Sequence, residues 1–302
     1  MEKQIVFRAS SFANLLVKNK DTSITDVQLD RIDELVYEME NGLNKNGNKV
    51  KWTDNKADEL QKLIEKRDAK PELSLTAKKE VQKIWLQNEK GFIKNLDNKY
   101  VMKGLFNEEN GIELIGEIEE QFFLKNEERI TIGSITGEAD IIHTYNSVDE
   151  LPEWRKLMED GETKFPLKVV KDVKCSFDAE TFMNAEFSSM YETQLRVYMM
   201  LYNADEAHLQ YCLTDAPDHI LEAENWKLKN KYGIIDMDSE IAKPLFDQVK
   251  RNLIYSDNPE YSKEERLKSY MARRDKTIEQ DILDVIPMAL EYYKTITLNK
   301  TQ

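Results

Sequence analysis

The sequence offers little sulfur chemistry. Its two cysteines, Cys175 and Cys212, form no C-x-x-C pair, which excludes a zinc ribbon and a four-cysteine iron–sulfur cluster. That scarcity fits a reducing, cytoplasmic setting. Histidine is sparse too. His143, His208 and His219 lie in different segments, so all three read as structural or surface residues rather than metal ligands. Long apolar runs are missing as well. The N-terminal MEKQIVFRASS has no apolar core for a signal peptide, and no stretch approaches the ~20 apolar residues of a membrane span. A soluble, intracellular chain without a membrane partner is expected. It contains no internal repeat and no low-complexity segment.

Positive charge is also in short supply. Lys and Arg number 43 against 57 Asp and Glu, a formal net charge of -14. This balance argues against a general nucleic-acid coat or a membrane-surface protein. It leaves open an enzyme that needs only local basic groups. The 302 residues with 40% hydrophobic content suffice for a substantial core, in one large domain or two smaller ones.

The first hundred residues carry helical spacing. Helices are expected over 24–43 (Val27, Ile32, Leu35, Val36), over 57–66 (Leu60, Leu63, Ile64), and from Ser74 through Val81, Ile84, Trp85, Phe92 and Ile93. Ser74 has the character of an N-cap. An amphipathic helix is expected over 108–125. In ERITIGSITGEADIIHTY, β-branched residues with Gly133 and Gly137 as turns predict two short strands in a hairpin. LKVVKDVKCSF predicts a half-buried strand, 190–202 a helix and AHLQYCLTDA another strand. This order predicts an α/β sandwich around a mixed sheet. The tail, 262–298, reads as mostly helical, with Pro287 expected to kink or restart the last helix.

Asp172-Val173-Lys174 is the chemical centre of this pattern. Residues i and i+2 of a strand share a face, so D-x-K delivers a carboxylate and a cation to one place. Hard divalent cations prefer oxygen ligands; such a metal polarises a phosphate and lowers the pKa of water, and a nearby lysine neutralises charge that builds on phosphorus. The spacing alone is weak. It recurs at Asp54/Lys56, Asp68/Lys70, Asp97/Lys99 and Glu162/Lys164, all in turns or polar helical stretches. Only Asp172/Lys174 lies inside an apolar strand, where an exposed edge-strand face is the competing explanation.

Three neighbours strengthen the reading. Asp140, at the start of Ile141-Ile142, would place a second carboxylate at the same metal; alone it equally describes a turn aspartate. Gln194 and Tyr198 are four apart on one helical face and would bind a phosphate or the attacking water; alone they describe a partly buried helix. Glu108 opens the predicted helix before the hairpin and would supply an outer carboxylate, although an acid there also suits the helix dipole.

Together, Gly104 to Glu108 (G-x-x-x-E), Gly137 to Asp140 (G-x-x-D), Asp172 to Ser176 (D-x-K-C-S) and Gln194 to Tyr198 (Q-x-x-x-Y) resemble the RecB-like branch of the PD-(D/E)xK nucleases. The nearest likeness is to the phage lambda-type, YqaJ-like recombination exonucleases, whose strand motif commonly runs acid-x-Lys-Cys-Pro; Ser176 stands in place of that proline. The early segment Arg8-Ala9-Ser10-Ser11-Phe12 is similar to the family's phosphate-holding segment. The resemblance implies that Asp140, Asp172 and the carbonyl of Val173 bind metal, with Glu108 acting through water. It makes Lys174 the catalytic lysine, has Gln194 support the nucleophile or substrate, and makes Arg8 and Ser10 phosphate contacts. It implies Mg²⁺, or Mn²⁺, as cofactor and linear duplex DNA as substrate. The implied activity is 5′-to-3′ digestion of duplex ends in phage or bacterial recombination. A single-strand annealing protein and a homo-oligomer are implied partners. An endonuclease on the same core and a non-catalytic DNA-end-binding protein are the alternatives.

The likeness spans about 100–215. The expected layout is an N-terminal helical region (1–100), a PD-(D/E)xK core (101–215) and a mainly helical C-terminal extension (216–302). Without a G-x-x-x-x-G-K-[ST] motif, the chain is no ATP-driven unwinder. Cys175 is expected to point away from Lys174 and to pack as a small hydrophobe. Lys263, Arg266, Lys268, Arg273, Arg274 and Lys276 would track a DNA backbone or simply form a solvated face. Trp52, Trp85, Trp154 and Trp226 are assigned to packing.

Overall fold

A computed structural model describes residues 4–93, 99–159, 161–236, 239–240 and 242–298. The elements begin β1 (Phe7–Arg8), α1 (Ala13–Leu16), α2 (Asp26–Asn41), α3 (Asp54–Asp68), α4 (Leu75–Lys90) and α5 (Lys99–Glu119). They continue β2 (Ile130–Ile132), β3 (Ile135–Gly137), β4 (Ile141–Tyr145), α6 (Glu153–Lys156), β5 (Leu167–Cys175), α7 (Ala179–Met183) and α8 (Ser189–Tyr202). They end β6 (Glu206–Cys212), α9 (Asp218–Tyr232), α10 (Ala242–Leu253), β7 (Leu267–Arg273) and α11 (Lys276–Lys294). Of the residues named above, Asp97 lies outside those described.

The chain divides into two compact units, Met1–Ala13 with Phe92–Gln280, and Asn14–Gly91 with Asp281–Gln302. The second is helical. Thr25 caps α2 by accepting from the Gln28 N–H while the Gln28 side chain answers the Thr25 N–H, and Gly42 (φ 67°) ends it. Ile32, Leu35 and Leu60 form the seam between α2 and α3, and Arg31 forks onto Glu59 at 2.9 and 3.1 Å. Ser74 caps α4 as expected, accepting from the Ala77 N–H. That helix stops at Gly91, so Phe92 and Ile93 are exposed rather than part of its apolar stripe. Ile282, Val285 and Ala289 of α11 are buried, and α11 runs through Pro287 without ending there.

The larger unit holds two sheets. A small sheet has the order β1-β3-β2, with β2 and β3 forming the expected hairpin about Gly133. The larger sheet has the order β4-β5-β6-β7: β5 runs parallel to β6, and β4 and β7 are antiparallel edges. Ile141-Ile142 therefore starts a third strand in a different sheet, and Gly137 lies within β3 rather than in a turn. A second correction concerns the tail, where Leu267–Arg273 is strand and not helix. It lies on an edge with every residue but Ala272 half-buried, so no continuous apolar run marks it.

The central strand β5 is buried on both faces. Val173 and Cys175 face α5, packing with Ile112, Ile115, Ile141 and Cys212. Asp172 and Lys174 face α8. This three-layer arrangement, helix–sheet–helix, bears out the mixed α/β fold expected from the order of elements. Among the described residues no helix is long and apolar enough to cross a membrane.

Candidate active site

Strand β5 is the reason the site exists. It is not an edge strand: Asp172 is only 1% exposed. A buried carboxylate needs partners, and Asp172 finds them on its own face. Gln194 of α8 donates from Nε2 to Asp172 Oδ1 at 3.0 Å and makes a 2.8 Å hydrogen bond to the Tyr198 hydroxyl. Lys174 Nζ lies 2.6 Å from Asp172 Oδ2. The approach is off the line for a hydrogen bond, so Oδ2 has a charged neighbour but no directed donor. Lys174 is also 5.8 Å from the Tyr191 ring centroid.

Asp140 arrives from the other side. It occupies the point where the chain leaves the small sheet after β3 and enters the larger one at β4. Its N–H donates to the Lys171 carbonyl at 3.1 Å, and its Oδ2 accepts from the Val173 N–H at 2.6 Å. Asp140 therefore meets the backbone of the D-x-K segment itself. Burial and then the charge of Asp172 push its pKa up to about 7, against the pull of Lys174 and of the Val173 N–H. Burial opposes the charge on Lys174, but Asp172 and Asp140 outweigh it and hold that ammonium well above its ordinary range. Tyr198 is pushed up by burial and by Asp172, so it stays a neutral phenol.

Two glycines set the spacing. A Cβ on Gly137 would lie 2.9 Å from Tyr198 Cε1 and from Leu201 Cδ1, so only glycine lets α8 close onto β3. A Cβ on Gly111 would lie 2.9 Å from Val173 Cγ1 and Cys175 Sγ on the opposite face. Cys175 itself points toward α5, with Sγ 3.1 Å from the Asn107 carbonyl, and burial raises its thiol to about 11. It has no nucleophilic character.

Asp140, Asp172, Lys174, Gln194 and Tyr198 thus form one cluster, with Val173 inside it. Glu108 differs from expectation. It does not open a helix; α5 starts at Lys99 and ends at Glu119, where Glu120 takes a positive φ of 51°. Glu108 is in mid-helix, paired with Lys125 at 3.1 Å, and its charge reaches Asp140. Arg8 and Ser10 are exposed, on and just after β1, which pairs with the β3 strand leading to Asp140. Their side chains make no hydrogen bond or ion pair among the described residues.

Sequence reading passed over three residues here. Asn126 donates its N–H to the Asp140 carbonyl at 2.7 Å and its side-chain amide to the Ala139 carbonyl at 2.8 Å. The Tyr202 hydroxyl lies 3.2 Å from that amide and accepts from the Ala139 N–H at 3.3 Å. Tyr202 continues the four-residue spacing of Gln194 and Tyr198, a signal that was present. Lys125, beside Asn126, carried none. Of the tryptophans, Trp226 is 66% exposed and serves no packing role, whereas Trp154 donates to buried Glu119.

The acids of this site suit a hard cation. Two carboxylates repel across a buried space, and one oxygen lacks a directed donor. Among the described residues no three His, Cys, Asp or Glu side chains gather into a full ligand set. Magnesium asks for less, since it is commonly held by one or two carboxylates and keeps several waters.

No family model matches the chain, and no curated protein does. Among solved structures, it is similar to a phage-related exonuclease from Haemophilus somnus 129PT: 19% identity, TM-score 0.57, covering 96% of this chain and 94% of that one. A weaker likeness, at 10% identity and TM-score 0.42, is to an alkaline exonuclease from Laribacter hongkongensis over 73% of this chain and 83% of that one. The chain has the fold of the phage-related exonuclease.

Proposed function

We propose that this chain is a metal-dependent deoxyribonuclease acting as a 5′-to-3′ exonuclease on linear duplex DNA in phage or bacterial recombination. One observation carries the reading: Asp140, Asp172, Lys174 and Gln194 come from three separate elements to a single buried cluster. A structural ion pair would need neither a second carboxylate nor an acid that burial and the charge of Asp172 push up to about 7. Asp140 and Asp172 would hold Mg²⁺ or Mn²⁺, with the Val173 carbonyl beside them and Glu108 further out. A divalent cation there supplies Lewis-acid polarisation of the phosphate and a lower pKa for water.

The chain's own groups do the rest. Lys174, charged at any physiological pH, neutralises negative charge that develops on the phosphate. Gln194 fixes the Asp172 carboxylate and is itself fixed by Tyr198. Exposed Arg8 and Ser10 contact a DNA phosphate, at the end of β1. The net charge of -14 restricts binding to such local contacts. A homo-oligomer and a single-strand annealing partner belong to the same proposal.

The test is cleavage of end-labelled linear duplex and of closed circular DNA with Mg²⁺, Mn²⁺ or EDTA, comparing wild type with Asp172→Ala. Digestion from ends, requiring metal and Asp172, supports the proposal. Cut circles favour an endonuclease on the same cluster. No cleavage under any metal points to a non-catalytic DNA-end binder.

A further inference from the structure

Lys125 is a second lysine at this cluster, and the D-x-K motif does not include it. It follows α5 in an extended segment that runs beside β4. Lys125 bridges Ile141 in antiparallel register, and the next residue, Asn126, donates to the Asp140 carbonyl. This backbone pairing fixes the root of the Lys125 side chain next to Asp140. Its Nζ then lies 3.1 Å from Glu108 Oε1. Both side chains are partly open, 35% exposed for Lys125 and 24% for Glu108. The pair is therefore breakable, unlike the wholly enclosed ion pair of Lys171 and Glu119 on the opposite face of β5.

We infer that Lys125 and the divalent cation compete for Glu108, so that Lys125 sets how much metal the site requires. The inference rests on the nuclease reading above. Its argument is electrostatic. Asp140 and Asp172 lie together, the charge of Glu108 reaches Asp140 from α5, and two lysines, Lys125 beside Glu108 and Lys174 beside Asp172, offset these acids. Lys174 is locked to Asp172 by the strand that carries both. Lys125 comes from a different segment and is held only through Glu108. When a divalent cation enters, Glu108 can turn from the ammonium to the metal shell, and Lys125 moves outward into solvent or onto substrate phosphate. Removing the ammonium removes a competitor and a like charge at once.

The experiment is Mn²⁺ binding to the full chain, without DNA, followed by titration calorimetry and by the electron paramagnetic resonance signal of free Mn²⁺. Lys125→Met keeps the side chain's length without its charge, and Lys125→Arg keeps the charge. The expected result is a Mn²⁺ dissociation constant roughly two- to five-fold lower for Lys125→Met, the range that a partly exposed ion pair commands. Lys125→Arg should match wild type. In a Glu108→Gln background, Lys125→Met should have a smaller effect, since only a like charge is then removed. An unchanged constant in Lys125→Met overturns the inference and leaves the nuclease reading standing. So does a raised constant, which would make Lys125 a support for Glu108. Failure of wild type to bind Mn²⁺ would overturn the nuclease reading itself, and this inference with it. Thermal unfolding in EDTA checks that each variant is folded.

Discussion

Asp140→Asn should make the metal-free protein more stable while removing the proposed activity. The reasoning starts from the carboxyl's raised pKa, about 7 against an ordinary 3.8. A group whose pKa is raised on folding favours the folded state fully below its unfolded value. That contribution fades as pH rises through the folded value. For Asp140 the window runs from about pH 4 to about pH 7. A shift of roughly three units corresponds to about 4 kcal/mol of destabilisation once Asp140 is ionised. Asp140 is partly exposed, so solvent screening reduces this to about 2 kcal/mol. Asparagine stays neutral and its carbonyl can still accept from the Val173 N–H. At pH 8 in EDTA the variant should therefore unfold roughly 4–8 °C above wild type, given the usual sensitivity of a unit of this size. At pH 5 wild-type Asp140 is itself mostly protonated, and the advantage should fall below about 1 kcal/mol. The assay is thermal or urea unfolding of both proteins at the two pH values. Comparing variant with wild type cancels the other titrating groups. A variant no more stable than wild type at pH 8, or a gap as large at pH 5, would refute the account of Asp140 as a carboxyl strained by burial and by the charge of Asp172.

The buried pair behind the sheet supplies another expectation. Lys171→Met leaves Glu119 enclosed without its cation and should cost about 3–5 kcal/mol, as read by urea unfolding. Gly137→Ala drives a methyl to within 2.9 Å of Tyr198 and Leu201. It should destabilise by about 1–3 kcal/mol and slow DNA cleavage more than Gly133→Ala, which replaces an open turn residue.

Strand β5 was legible because an acid and a lysine interrupt an otherwise apolar run, and polar groups in such a run demand partners. Asp140 was legible because it precedes the β-branched start of β4. Gln194 and Tyr198 followed from helical spacing. The failures have physical causes. Periodicity reports which face of an element is buried, not which distant group neutralises a charge. Lys171 and Lys174 look alike in sequence, yet one faces Glu119 and the other Asp172. Glu108 was placed at a helix start because the segment before it, Lys99 to Asn107, shows no clean amphipathic stripe; its Lys103 and Asn107 are fully buried polar residues that bond to the Phe177, Thr214 and Asp215 carbonyls. β7 escaped notice because an edge strand rich in Lys and Arg has the composition of a solvated helix.

The alternation along β5 ties folding accuracy to chemistry. Slipping this strand by one residue against β6 would turn Asp172 and Lys174 toward α5 and carry Lys171 to the α8 side. The slipped sheet would keep its ladder of backbone bonds but lose the Lys171–Glu119 pair and part Asp172 from Gln194. It would strand Glu119 in the interior and leave Gln194 facing a lone ammonium. Lys171 on one face and Asp172 on the other therefore act as a register lock. A misaligned chain is penalised on both sides of the sheet, and the one alignment that satisfies both is the alignment that assembles the carboxylate cluster.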